Sequence, residues 1–522
     1  MSSGRARDTP PLDAEGERCT GLRVPFRLPR IDRPVSIELR PLGATAVLVA
    51  AVYALLGANG LPIPGIDESF YKGVAFELAT YGTWTLHSAL GLHPDLDHFF
   101  IAGYPPLYMV LLAGWYRVFG FGFLQSQSLP LLLHWLSALG GGLLVYRLSA
   151  LYRGWWAAVA FVGIAAYLRT DRPDPAAVCF AMWAAWLVVD DAVLTLKRAA
   201  LIGLVWGASL LVQPVATVLY AAYVGLLIAV RLHRRGSVAR LLLAVSVASV
   251  LVFGTEAWMY ALHPEGFRYF LHATGAATEV GGRWAALGVV ARDLWNFAPW
   301  LLLFGVAGVP LAGSQEDGTW PRALWAGVVL MVCMAIVLRP LGTYIMYAFP
   351  FGVVAATASL SQIRSTGWIR RVVIAAVLLG LAIAWTPVGV ALARATQTYG
   401  SERPAYARAA IAAVIPPGRI VIGDAPLWTM LAERYEFYDS AWGARQLGRA
   451  EYVASIGSGS RRLGTSNFEV AHPELQSQFD LVYDGIAATP QAILGYRVGR
   501  SRQGYGLRVF RRRATVRIEN RP

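Results

Sequence analysis

The sequence predicts an all-α polytopic membrane domain of about eleven transmembrane helices, followed by a small α/β domain at the C-terminal end. Three observations predict it. Of 522 residues, 56% are hydrophobic and only 15% charged, too few charges to cover a soluble surface of this size. Apolar runs of roughly 20 residues recur between residues 42 and 393. Beyond about residue 395 charges rise and short apolar runs alternate with turn residues. The mean hydropathy of +0.47 agrees.

Residues 1–40 are polar and rich in Pro and Arg, with no early apolar core. They read as a disordered cytoplasmic tail rather than a cleaved secretory signal. The membrane domain, 41–394, contains the expected spans 42–61, 128–149, 155–169, 174–194, 199–213, 214–232, 240–262, 297–313, 321–338, 341–360 and 370–393. The stretch 199–232 fits either one helix broken at Pro214 or two short spans with a tight turn. With the N-terminus inside, alternate loops collect Arg147 and Arg153, then Lys197 and Arg198. The next collect Arg231, Arg234, Arg235 and Arg240, and finally Arg364, Arg370 and Arg371. That is a positive-inside pattern, broken only by 314–320 with Glu316 and Asp317. It places a long loop, 62–127, and the C-terminal domain, 395–522, outside. Segment 103–121 reads as a juxtamembrane helix started by Pro105 and Pro106, with Tyr104, Tyr108, Trp115 and Tyr116 at the headgroup level, because a twelfth span would invert every later loop. In the C-terminal domain, 419–424 and 479–485 read as strands and 496–510 as a hairpin.

The net charge of +14 is accounted for by basic loops facing the cytoplasm and anionic lipid, so nucleic acid is not an expected partner. The 18 Trp suit membrane interfaces. Cys19, Cys179 and Cys333 form neither a disulfide framework nor a zinc spacing. His87, His93, Asp95, Asp97 and His98 fit no zinc rule and read as a solvated loop. Phosphate-loop, nucleophile-elbow and HExxH motifs are missing from the sequence.

Three constellations share the outer side. Asp67, Glu68 and Glu77 open the first outer loop beside Tyr71 and Trp84. Carboxylates at a membrane surface are costly unless paired, solvated or used, although Asp67 in this pattern equally suits a cap on a helix carrying Phe70, Tyr71, Val74 and Leu78. Asp171, Arg172 and Asp174 sit at the mouth between two spans, in a loop stiffened by Pro173 and Pro175. Arg339 and Tyr344 stand at the outer start of a span. There a forked guanidinium can take a phosphate, or the pair can simply snorkel and anchor. Glu256, near the outer end of its span, is a further intramembrane carboxyl. Together these residues suit a substrate with a phosphate leaving group and a hydroxyl that needs a base.

With those residues in view, the chain resembles the GT-C class of membrane glycosyltransferases. Within it the resemblance is to the bacterial branch similar to protein O-mannosyltransferases and the lipid A aminoarabinose transferase. It covers roughly residues 40–360. Asp67, Glu68, Tyr71 and Glu77 match the class's DExxY…E spacing, Gly103–Tyr108 its PPL segment, Arg172–Ala176 its second acidic motif, and Arg339–Pro350 its basic-Tyr-Pro motif. Tyr104 stands where the class often has Lys, and the C-terminal domain shows no recognisable carbohydrate-binding pattern.

The resemblance implies an integral membrane enzyme, expected in a bacterial inner (plasma) membrane. It would move a hexosyl or pentosyl group from a polyprenyl-phosphate donor to a hydroxyl of a lipid, glycan or protein acceptor. Asp67, Glu68 and Asp174 are the implied catalytic set, with Asp67 activating the acceptor and Asp174 shaping the site or holding a divalent cation. Tyr71, Glu77, Tyr104, Asp171 and Arg172 line the substrate, and Arg339 and Tyr344 hold the lipid phosphate. The rival expectations are a flippase of lipid-linked sugars, which should show paired halves and helix breaks, and a scaffold whose outer domain binds a partner.

Overall fold

The computed structural model describes residues 38–59, 68–90, 105–149, 152–166, 172–189, 194–235, 237–268, 319–338, 347–362, 368–397, 404–440, 444–456, 477–484, 492–493, 496–497 and 507–513. Among the described residues, helices α1 (Arg40–Ala58), α4 (Phe123–Leu148), α8 (Pro214–Arg235), α9 (Val238–Leu262) and α10 (Thr319–Leu338) include five segments long and apolar enough to cross a membrane. Between them pack α5 (Arg153–Ala165), α6 (Asp174–Val188), α7 (Leu196–Leu210), α11 (Phe349–Leu360) and α12 (Trp368–Gln397). The bundle turns large apolar side chains outward: Val47, Val250 and Phe253 are each more than two-thirds exposed. A surface of that kind is stable against lipid and would aggregate in water.

Residues 199–232 fold as two helices, α7 and α8, joined by Leu211–Gln213. Segment 297–313 lies outside the described residues. Close approach of α7 and α9 depends on Gly203 and Gly207, one turn apart. A Cβ on Gly203 would stand 2.4 Å from the Ala244 carbonyl oxygen. Without a hydrophobic force between helices in lipid, such small-residue contacts carry the packing.

The helix ends sort onto two faces. At the C-terminal end of α6, Arg147 donates to the Trp186 carbonyl at 2.8 Å and Arg198 to that of Leu187 at 3.0 Å. Arg231 donates to the carbonyls of Leu187 and Val188. Three guanidiniums thus satisfy carbonyls that a helix end leaves without intrahelical partners. Arg240 reaches the Leu194 carbonyl on the same face, and Tyr146 donates to Glu38, just before α1, at 2.9 Å. Gln362, just after α11, donates to the Leu148 carbonyl there at 3.4 Å. This is the basic face. The starts of α4, α6, α8 and α11 and the ends of α1, α5, α7, α9, α10 and α12 lie on the opposite face.

Two shorter helices occupy that opposite face. Helix α2 (Glu68–Thr80) packs along α3 (Leu107–Phe119). Thirteen residues of helix span about 20 Å, short of a ~30 Å hydrocarbon core. Helix α3 starts where the Leu107 amide donates to the Leu211 carbonyl, at 3.1 Å, and ends near Phe121, so it does not cross the bundle. Tyr108 and Tyr116, expected at headgroup level, are instead buried, and the Tyr116 hydroxyl shares a 2.8 Å hydrogen bond with Ser126. The correction has a simple cause: the apolar side of α3 faces α2 rather than lipid.

The C-terminal part begins with α13 (Pro404–Val414) on the same face. Its strands are β1 (Ile420–Gly423), β2 (Glu436–Asp439), β3 (Tyr452–Ile456), β4 (Phe479–Asp484), β5 (Ala492–Ile493), β6 (Tyr496–Arg497) and β7 (Leu507–Arg512), and a short helix α14 (Trp428–Leu431) lies between β1 and β2. The main sheet runs β2-β1-β3-β7-β4, with β1 parallel to β2 and β3, and β7 antiparallel to β3 and β4. Val421, Phe437, Ala454 and Val509 pack under Ala407 and Ile411 of α13, while Ile422, Tyr438, Val453 and Phe479 form the second core. Among the described residues, Tyr496–Arg497 and Leu507–Arg512 do not pair as the hairpin expected over 496–510. Both edges of β7 are taken by β3 and β4, so β6 pairs with β5 instead.

Candidate active site

Helix α2 carries the first acidic motif. Asp67 lies outside the described residues, and Glu68 is the first residue of the helix. Tyr71 is buried with its ring 6.3 Å from that of Tyr108, edge to face. Arg117 of α3 donates to the carbonyls of Leu78, at 3.0 Å, and Ala79, helping to anchor the end of α2. Glu77 is half-buried, and desolvation pushes its carboxyl up to about 7. It can therefore exchange a proton near neutral pH.

The second acidic motif begins α6. Pro173 precedes the helix and Asp174 is its first residue, where the positive end of the helix dipole favours a carboxylate. Asp174 is buried. It accepts a hydrogen bond from the Tyr347 hydroxyl and lies 3.4 Å from Nε of Arg172. Tyr347 is also buried, and its ring meets that of Tyr220 edge to face at 6.0 Å. Helices α6, α8 and the start of α11 are thereby joined at one point. Asp171, Tyr104, Arg339 and Tyr344 lie outside the described residues.

The structure thus sets two groups of residues on the face opposite the arginines. Only one is a contact cluster, Arg172 and Asp174 with Tyr347 at the mouth of the bundle; Tyr71 and Glu77 stand separately along α2. Among the described residues no three His, Cys, Asp or Glu side chains converge to hold a metal ion. His87 instead stacks on Tyr438, with ring centroids 5.5 Å apart, and burial holds its imidazole below the usual histidine range.

Two residues were missed by sequence reasoning. Tyr347 lies in the motif that begins at Arg339, three positions beyond Tyr344, so its proximity was the available signal. Lys72, fully buried on α2 one turn after Glu68, was not singled out from the sequence. A buried ammonium is costly without compensating groups, which makes its position informative.

Comparison with solved structures identifies the fold: the chain has the GT-C fold. It is similar to ArnT from Cupriavidus metallidurans in the apo state, at 13% identity and a TM-score of 0.52, over 90% of this chain and 98% of that one. The same protein bound to undecaprenyl phosphate gives a TM-score of 0.54 at 13% identity, over 91% and 98%. The archaeal oligosaccharyltransferase AglB from Archaeoglobus fulgidus, solved with an inhibitory peptide and a dolichol-phosphate, matches at 12% identity with a TM-score of 0.49, over 91% and 89%. No protein-family model and no curated protein sequence matches the chain.

Proposed function

We propose that the protein is a membrane glycosyltransferase that moves a sugar from a polyprenyl-phosphate donor to an acceptor hydroxyl. The observation that carries this reading is sidedness. Helix α2, the Asp174–Tyr347 pair and the C-terminal sheet all lie on the face opposite the arginines that cap α6. By the positive-inside rule that face is extracytoplasmic. The fold it belongs to is shared with ArnT, which binds undecaprenyl phosphate, so a lipid phosphate is the first ligand to try.

In this reading about eleven spans hold the site. Asp67 accepts the proton of the acceptor hydroxyl as its oxygen attacks the anomeric carbon. The bond from that carbon to the phosphate oxygen breaks, the electron pair leaves with the lipid phosphate, and the anomeric centre inverts. Arg339 and Tyr344 hold the departing phosphate. Asp174, tied to Tyr347 and Arg172, keeps the mouth of the bundle in shape. A divalent cation at this site would be held by Asp174 and would stabilise the departing phosphate. Lys72 adds a positive charge next to the motif of Asp67 and Glu68. Among the described residues no paired halves point to a flippase without chemistry.

The test is Asp67→Asn, close to isosteric, assayed with polyprenyl-phosphate sugars. Donor binding retained with turnover lost supports the reading; unchanged turnover removes Asp67 as the base.

A further inference from the structure

One face of α2 packs on the C-terminal domain. Ser69, Gly73 and Phe76, spaced by four and three residues, form a stripe along the helix. The Ser69 hydroxyl donates to Oδ2 of Asp439 at 2.5 Å, and both residues are buried. A Cβ on Gly73 would come within 2.4 Å of Leu86 and 3.9 Å of Trp428. The Phe76 ring lies 5.9 Å from that of Trp428 and 4.4 Å from that of Phe121. Just after α2, His87 stacks on Tyr438, and the Gln446 amide donates to the Leu90 carbonyl at 3.3 Å.

Asp439 is the last residue of β2 and pairs in register with Gly423 of the neighbouring parallel strand. Asp424 follows β1 and accepts from Ser440 and Ser455, each at 3.1 Å. Open α/β sheets take ligands at the carboxyl ends of their parallel strands. Here the carboxylate at the end of β2 is spent on α2.

We infer that Asp439 is a positioning residue for the first-loop acidic motif: through Ser69 it fixes the first turn of α2 and so sets where Asp67 and Glu68 stand. Ser69 follows Glu68, the first residue of α2, directly in the chain. The C-terminal domain then completes the active site rather than sitting beside it. This inference rests on the glycosyltransferase reading for its effect on turnover, though not for the contact itself.

The experiment pairs two readouts on the full-length protein, hydrogen exchange of the α2 amides and donor kinetics. The variants are Ser69→Ala, Asp439→Ala, both together, and Ser69→Thr. Arg408→Ala, which breaks an exposed ion pair to Glu433 on the C-terminal domain, serves as the control for nonspecific damage. Both alanine variants are expected to speed exchange in α2 and lower kcat by about 10–100-fold with little change in donor KM, as misplaced catalytic groups do. The double variant is expected to match the worse single variant. Ser69→Thr, which keeps the hydroxyl, restores both readouts, and the control leaves both at wild-type values. Wild-type exchange in α2 of both alanine variants overturns the inference whatever the activity. Faster exchange in a protein whose wild type transfers no sugar sustains the clamp and removes the functional reading instead.

Discussion

The hydroxyl of Tyr347 donates to the carboxylate of Asp174, joining the entry of α11 to the first turn of α6 across 173 residues of chain. Both groups are buried, so neither has water to replace the other. Tyr347→Phe removes the donor alone. Leaving a buried acceptor short of a partner costs about 1–3 kcal/mol, and the loosened mouth is expected to lower turnover roughly tenfold. Denaturation and donor kinetics on the variant check both; wild-type turnover would show that the pair is only structural.

Glu77 makes stability depend on pH. Its folded carboxyl titrates near 7, above the ordinary value of 4.5. The native state therefore holds an extra proton between those values. Stability is highest below the ordinary value, falls as pH rises toward 7, and is flat above. Glu77→Gln mimics the neutral form. It is expected to raise the melting temperature at pH 8 and leave it unchanged at pH 4. An equal gain at both would mean that the effect is packing rather than charge.

Arg231 is buried beneath the C-terminal end of α6, where it serves two carbonyls. Arg231→Met keeps an apolar stem but no donor. A stability loss of about 1–3 kcal/mol is expected, with donor KM unaltered, because the arginine lies on the face away from the site. A changed KM with intact stability would contradict the two-faced arrangement.

Gly203→Val tests the contact between α7 and α9. A β-branched side chain cannot fit where a Cβ already stands 2.4 Å from the Ala244 carbonyl oxygen and 2.8 Å from Val247. The variant is expected to fail to give a monodisperse protein in detergent, whereas Gly254→Ala, with open space around it, behaves as wild type. A well-behaved Gly203→Val would mean that the two helices can separate freely.

The membrane helices were readable because lipid demands a long apolar run and an internally bonded backbone, and both are local properties of sequence. Helices α4, α8 and α9 fall on such runs. The edges of β7 were not readable: 496–510 looks like a hairpin locally, and only the distant strands β3 and β4 decide where Leu507 and Val509 go. Tyr108 and Tyr116 misled for a related reason, since an amphipathic helix beside a membrane can turn its rings to lipid or to a neighbouring helix. Glu77, Arg172 and Asp174 stood out by residue type and spacing, and the structure places Glu77 half-buried on α2 and Asp174 buried at the start of α6. Ser69 with Asp439, 370 positions apart, and Tyr347 with Asp174 did not stand out, because a hydrogen bond between distant segments leaves no local pattern.

Sugar transfer from a lipid phosphate is tested most directly with purified protein in sealed liposomes supplied with polyprenyl-phosphate sugars and acceptor. Release of free polyprenyl phosphate by wild type and not by Asp67→Asn is the predicted result. No release with any donor, while labelled lipid still crosses the bilayer, would contradict it and make the protein a carrier of lipid-linked sugars.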